Sequence, residues 1–256
     1  MPHATAPDGT AIAYQVDGDG PVLVLLAGQA NDHHWWDGVR TDFTGRTRVT
    51  VEMRGTGGSQ DGEGPWTTRH LAGDVVAVLD DLGVGRADVY GTSMGGRVAQ
   101  WVALDHPDRV RRLVLGCTSP GGPRAHERSE AVRRDLGRAS TRRAALLDLM
   151  FTPAYVQAHP DGPFRVLGDP RMSARASRGH LTASDTHDAW DELPRLEAPT
   201  LVVHGTDDRL NPTANAALLA DLIPDARLHL VEGARHAYFE EFAAQVSPVV
   251  LAFLTQ

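Results

Sequence analysis

At 256 residues, 41% hydrophobic and 23% charged, the chain has the make-up of a soluble globular protein with one large domain or two small ones. All 25 basic residues are Arg, which excludes lysine bases, Schiff-base lysines and P-loop lysines, and the single Cys117 excludes an internal disulfide or a Cys-rich metal site. A net charge of −8 argues against an obligate nucleic-acid binder.

The first six residues lack the basic start and apolar stretch of an export signal. Apolar runs such as 22–27 fall far short of the roughly 20 residues of a membrane span. A cytoplasmic protein is the expectation. Candidate strands at 10–16 and 22–26 flank Asp17-Gly18-Asp19-Gly20-Pro21, a turn-rich link that predicts an antiparallel hairpin. Further strands are predicted at 48–52, 88–90, 110–115, 200–204 and 227–231. Between them run helix-period segments at 67–82, 94–106, 213–222 and 239–254. In the second, Val98, Trp101 and Val102 share a face with Asp105, and Pro107 ends it. Alternation of this kind predicts an α/β chain, a mostly parallel sheet flanked by helices.

That rhythm stops between 120 and 180, where only helical pieces such as 125–139 and 141–151 are legible. The simplest organisation is a small helical cap, 120–184, inserted into a core made of 1–119 and 185–256. Residues 120–180 hold 11 Arg against 6 acids, a net of +5 within a chain of −8. Solvated helix faces account for such a charge, and so does a surface that meets an anionic substrate or partner.

The informative string is Gly91-Thr92-Ser93-Met94-Gly95, between the strand at 88–90 and the helix at 94–106. It fits the nucleophile elbow G-x-S-x-G in the strand–turn–helix setting that motif requires. A serine on so tight a bend needs small neighbours, and Gly91 and Gly95 supply them. The hydroxyl becomes a nucleophile only when a base takes its proton, and that base needs a carboxylate to orient it. Downstream of the strand at 200–204 stand Asp207 and Asp208, and downstream of 227–231 stands His236. Both loops follow strand C-termini, where an open α/β sheet gathers its site.

On these residues the chain resembles the α/β-hydrolase superfamily nearly end to end outside the cap, and within it the 3-oxoadipate enol-lactonases and small carboxylesterases. Val24-Leu25-Leu26-Ala27-Gly28-Gln29 is similar to that family's strand and His-Gly-x loop, and Glu52-Met53-Arg54-Gly55-Thr56-Gly57-Gly58-Ser59 to its Asp-x-Arg-Gly-x-Gly-x-Ser loop. Leu104-Asp105-His106-Pro107-Asp108-Arg109-Val110 is similar to its helix-to-strand passage. The resemblance implies an α/β-hydrolase fold, with a mostly parallel eight-stranded sheet and a small helical cap. It implies Ser93 as nucleophile, Asp208 ahead of Asp207 as the acid, and His236 as the base. The backbone N–H groups of Gln29 and Met94 match the oxyanion donors. Two residues depart from the pattern: Ala27 stands in place of a histidine that supports the loop, and Glu52 in place of Asp.

His33, His34, Trp35 and Trp36 follow the oxyanion loop, as candidates either for lining the pocket or for covering the sheet edge. His204 ends a strand near the site, in a supporting or a packing role; His229 and Cys117 read as structural. Gln60 breaks G-x-G-x-x-G after Gly55 and Gly57, and no metal-ligand spacing appears, so neither cofactor nor metal is expected. The expected activity is hydrolysis of a small ester or lactone, carboxylate-bearing in view of the basic cap, through an acyl-enzyme on Ser93. The alternatives are a thioesterase serving an acidic carrier protein, a C–C bond hydrolase, and a receptor-like binder with slow turnover. No nucleic-acid or membrane partner is expected, and the oligomeric state stays open.

Overall fold

In the computed structural model, which describes residues 1–162 and 164–256, the buried apolar runs assemble into one sheet. Pro163, within the expected cap, lies outside the described residues. The strands are β1 (His3–Thr5), β2 (Ala11–Asp17), β3 (Val22–Leu26), β4 (Thr47–Val51), β5 (Ala87–Thr92), β6 (Val110–Gly116), β7 (Thr200–Gly205) and β8 (Ala226–Val231). Their order is β1-β2-β4-β3-β5-β6-β7-β8, and β2 alone runs against the others.

The link at 17–21 does not close a hairpin. β4 lies between β2 and β3, antiparallel to the first through Tyr14 and Val51 and parallel to the second through Val24 and Val49. The reason is burial. Leu23, Val24, Leu25 and Leu26 are apolar on both faces and fully buried, which suits a central parallel strand rather than one arm of an edge hairpin. Leu23 and Leu25 join a layer with Trp36, Phe43, Val250 and Phe253; Val24 and Leu26 join the opposite layer with Val75, Val98 and Val102. This alternation is the period of two that a strand imposes. β1, only three residues long, completes the eight-stranded sheet.

The helices are α1 (Thr68–Asp81), α2 (Met94–Asp105), α3 (Glu130–Gly137), α4 (Ala139–Met150), α5 (Pro153–Ala158), α6 (Ala174–Asp185), α7 (Ala214–Leu222), α8 (Tyr238–Glu241) and α9 (Ala243–Leu254). Thr67 caps α1 by accepting the His70 N–H at 3.1 Å. The helix predicted from 125 starts only at Glu130. Ahead of it, Asn215 takes the His126 N–H at 2.8 Å and donates to the His126 carbonyl at 2.9 Å, and these bonds replace helical ones. The segment at 239–254 is likewise two helices, broken at Phe242 with φ −109° and ψ 26°. Four helices, α3 to α6, lie between β6 and β7. Parallel pairing brings the loops after β3, β5, β6, β7 and β8 to one edge of the sheet, and the site is built there.

Candidate active site

β5 ends at Thr92 and α2 begins at Met94, leaving Ser93 alone in the bend with φ 54° and ψ −121°. Such a backbone costs an L residue about 1–3 kcal/mol and persists only where its surroundings impose it. Here the Ser93 N–H donates to the Gly116 carbonyl at 2.8 Å, and its own carbonyl accepts from Thr118 Oγ1 at 2.7 Å. The flanking glycines answer to close backbone approach. A Cβ on Gly91 would stand 2.2 Å from the Gly95 carbonyl oxygen, and one on Gly95 2.3 Å from that of Leu26. The bend is locked from both sides.

Beyond β7 the chain buries Asp208 and leaves Asp207 exposed. Asp208 Oδ1 accepts the N–H groups of Leu210 and Asn211, each at 2.9 Å. Its Oδ2 accepts from His236 Nδ1 at 2.7 Å and lies 3.2 Å from His204 Nε2. Burial alone would raise the Asp208 carboxyl; the imidazoles of His236 and His204 beside it hold it well below the usual carboxylate range. An ionised carboxylate can only accept, so it keeps the His236 proton on Nδ1 and leaves Nε2 with a free lone pair. Nε2 is buried and makes no hydrogen bond, to Ser93 or to any other described residue. A chain of contacts links the pair to the serine. Asn211 Nδ2 donates to the Cys117 carbonyl at 2.8 Å, and Cys117 follows the Gly116 that holds Ser93. The end of α4 braces the histidine loop, with the Ala237 N–H on the Met150 carbonyl at 2.9 Å.

The N–H groups of Gln29 and Met94 have no acceptor among the described residues. Trp35 and Trp36 are buried below the loop that carries them. Trp35 Nε1 donates to Thr92 Oγ1 at 2.8 Å, and the Trp36 ring lies 5.0 Å from Tyr90 and 5.4 Å from Phe239. His33 is bonded to Glu52, whose carboxylate also takes the Gly58 N–H, so the longer acid ties two loops together. His34, partly exposed, borders a hollow of about 270 Å³ with Asp37, Tyr155, His159, Arg165 and Glu240; Ser93, Asp208 and His236 do not line it. Asp32, His33 and His34 offer one ligand atom each within 4.8 Å of one another. These groups are already engaged: Asp32 with the His34 N–H at 3.0 Å and Arg171 at 3.2 Å, His33 with Glu52, and His34 with Asp37 at 2.7 Å. Cys117 is fully buried, and burial pushes its thiol well above the ordinary value.

One residue at this edge escapes sequence reasoning altogether. His180 of α6 accepts the Ala30 N–H on Nδ1 at 3.1 Å and donates from Nε2 to the Arg54 carbonyl at 2.9 Å.

The family described as the alpha/beta hydrolase fold matches residues 21–243. The chain belongs to the α/β hydrolase family. This α/β hydrolase is 31% identical to the pimeloyl-[acyl-carrier protein] methyl ester esterase of Nitrosomonas europaea, over 92% of its own length and 96% of the relative's. Among solved structures it is similar to a hydrolase from Pseudomonas aeruginosa PA01, with a TM-score of 0.85, 31% identity and coverage of 100% and 98% of the two chains. It is also similar to the enol-lactonase from Burkholderia xenovorans LB400, with a TM-score of 0.83, 28% identity and full coverage of both chains at 100%. The likeness to enol-lactonases and esterases holds, as does the mostly parallel eight-stranded sheet. Among the described residues no helix is long and apolar enough to cross a membrane.

Proposed function

We propose that this α/β hydrolase cleaves a small ester or lactone by acyl transfer through Ser93. The observation that carries the reading is the 2.7 Å contact between buried, ionised Asp208 and His236, whose Nε2 is left free. Ser93 Oγ attacks the carbonyl carbon as His236 Nε2 accepts its proton. The N–H groups of Gln29 and Met94 stabilise the tetrahedral oxyanion, each worth about 10²–10³ in rate. Collapse breaks the bond to the leaving oxygen, which takes the proton from Nε2; in a lactone that oxygen stays attached to the acyl chain. Water then attacks the ester on Ser93 with Nε2 again as base, and the serine recovers its proton. Asp208 stays ionised throughout and stabilises the imidazolium. Attack requires Oγ and Nε2 to close to about 2.6–3.2 Å, a bond that substrate-free enzymes commonly leave long.

We take residues 120–184 as a cap on the core of 1–119 and 185–256. Its Arg134, Arg138, Arg142, Arg143, Arg175 and Arg178 are exposed and have no carboxylate partner among the described residues. A cationic cap favours a substrate that bears a carboxylate of its own. The same face favours a second reading, an ester or thioester borne by an acidic carrier protein; the name of the Nitrosomonas relative states a carrier-linked substrate for that protein.

The test is a fluorophosphonate probe read by intact mass. One adduct is expected on the native chain and none on Ser93→Ala, which keeps its melting temperature and loses about 10⁶ in p-nitrophenyl acetate hydrolysis. An adduct on another residue, or hydrolysis retained by Ser93→Ala, overturns the reading.

A further inference from the structure

Ala27 offers the loop after β3 no polar side chain, and the backbone of that loop is strained at Ala30, with φ 59°. What braces the loop comes from the insertion. His180 takes the Ala30 N–H on Nδ1 at 3.1 Å, and the Asp169 N–H donates to the Ala30 carbonyl at 2.7 Å. The Gly168 N–H donates to Asn31 Oδ1 at 2.8 Å, and Asn31 Nδ2 in turn donates to the Gln29 carbonyl at 2.8 Å. Both polar ends of the peptide between Gln29 and Ala30 are therefore pinned, the carbonyl by Asn31 and the N–H by His180. A pinned peptide narrows the rotation about Gln29, and the preceding peptide, which carries the Gln29 N–H, is steadied in turn where the Gly28 carbonyl accepts the Asn31 N–H at 3.3 Å.

We propose that His180 is a positioning residue, through which the seating of α6 sets the aim of the Gln29 N–H toward the developing oxyanion. The inference rests on the role given to that N–H under the acyl-transfer reading. His180 is fully buried beside the Trp66 ring, at 5.9 Å, and burial pushes it down to about 4, so the ring is neutral and Nδ1 keeps its lone pair near pH 7. A loop held only by its own strand would keep its shape with the insertion displaced. Here the peptide next to the oxyanion donor takes one of its two anchors from α6.

A plainly structural role would run through the other ring nitrogen, where Nε2 ties α6 to the Arg54 carbonyl. Two amides separate the roles. Asn carries its oxygen near the place of Nδ1 and keeps an acceptor for Ala30. Gln carries its nitrogen near the place of Nε2, keeps the donor to Arg54 and leaves the Ala30 N–H bare. With p-nitrophenyl acetate, His180→Gln should lose about 10- to 100-fold in kcat, part of what a whole oxyanion donor is worth, with KM moved by no more than about twofold. His180→Asn should stay within about threefold of the native kcat. Asn31→Asp gives an independent reading: it keeps the acceptor for Gly168 but sets an oxygen against the Gln29 carbonyl, and it should show the same kcat-only loss. Equal kcat in the native chain and His180→Gln overturns the proposal, as do losses in both His180 variants that follow their melting temperatures. The fluorophosphonate adduct on Ser93 of the native chain is measured first. Its absence overturns the acyl-transfer reading and this inference together, whereas its presence beside an unimpaired His180→Gln overturns the inference alone.

Discussion

The strand-end loops and two of the helices between β6 and β7, α3 and α5, are built in opposite ways. At the elbow, backbone approaches backbone so closely that a single added methyl at Gly95 would stand 2.3 Å from a carbonyl oxygen. In the insertion, α3 and α5 bury no residue, and nothing lies within 4 Å of where a Cβ on Gly137 would stand. Yet several of the insertion's anchors fall on the loops of the candidate site: His180 and Asp169 on Ala30, Asp169 on Gly57, and Met150 on Ala237. A rigid edge holds the reacting geometry; α3 and α5 lie loosely outside it, while α6, which buries Ala176, Gly179, His180, Ala183 and Ser184, grips it. Regions with few buried contacts open most readily, so α3 and α5 are expected to open ahead of the strand-end loops.

Among variants that keep the serine, the largest expected effect, a loss of about 10⁴ in kcat, belongs to Asp208→Asn, with little change from Asp207→Asn. The hydrogen bonds say why. Oδ1 of the new Asn stays on the Leu210 and Asn211 N–H groups, so its NH₂ faces His236 Nδ1 and forces the ring proton onto Nε2, where it blocks the serine. A kinetic comparison of the two variants checks this, and the reverse order would reassign the acid. Next comes the glycine pair. Gly95→Ala should destabilise the fold by about 1–3 kcal/mol or more through overpacking, while Gly137→Ala should be neutral or stabilise it by up to about 1 kcal/mol. Thermal unfolding of the pair measures the contrast directly; equal effects would erase it.

The same contrast decides what can be read in the sequence. The elbow is legible because its determinants are local: Gly91, Ser93 and Gly95 sit within five residues, between a strand pattern and a helix pattern. The loops carrying Asp208 and His236 are legible because each follows an apolar strand. Choosing Asp208 over Asp207 as the partner of His236 needs either the family pattern or the structure, since two adjacent acids are told apart only by burial and hydrogen-bond partners. His180 is not legible, because its bond to Ala30 joins residues 150 positions apart and its own segment reads only as helix. The pairing of β2 with β4 rather than β3 fails for a related reason. A turn-rich link states that the chain reverses, while the neighbour of each strand is set by which of them must be covered on both faces.

Charge reversal probes the insertion more gently. Arg134→Glu with Arg138→Glu should raise KM for a carboxylate-bearing ester by about tenfold at low salt, as expected for lost electrostatic steering, and leave p-nitrophenyl acetate nearly untouched. The difference should shrink as salt is added. Equal effects on both substrates would remove the cap's charge from substrate choice.

The smallest effect sits where the two regions meet, at Glu240 beside Tyr155 of α5. Burial raises the Glu240 carboxyl to about 7, despite the Tyr155 hydroxyl at 3.5 Å and the nearby Arg165, both of which pull it down. In the unfolded chain the same group titrates near its ordinary value of about 4.3. Between those values the folded protein binds more protons than the unfolded one, so stability falls as pH rises. Glu240's contribution is complete below the unfolded value and lost as pH climbs through about 7. Partial exposure keeps the effect modest, a decline of about 1–3 °C in melting temperature between pH 5 and 8. Glu240→Gln stays uncharged over that range and should remove this part of the decline. Melting curves of the two proteins across the window check it: parallel curves would mean that the carboxyl is no less solvated in the fold than in the open chain, and that α5 does not close over α8 tightly enough to exclude water.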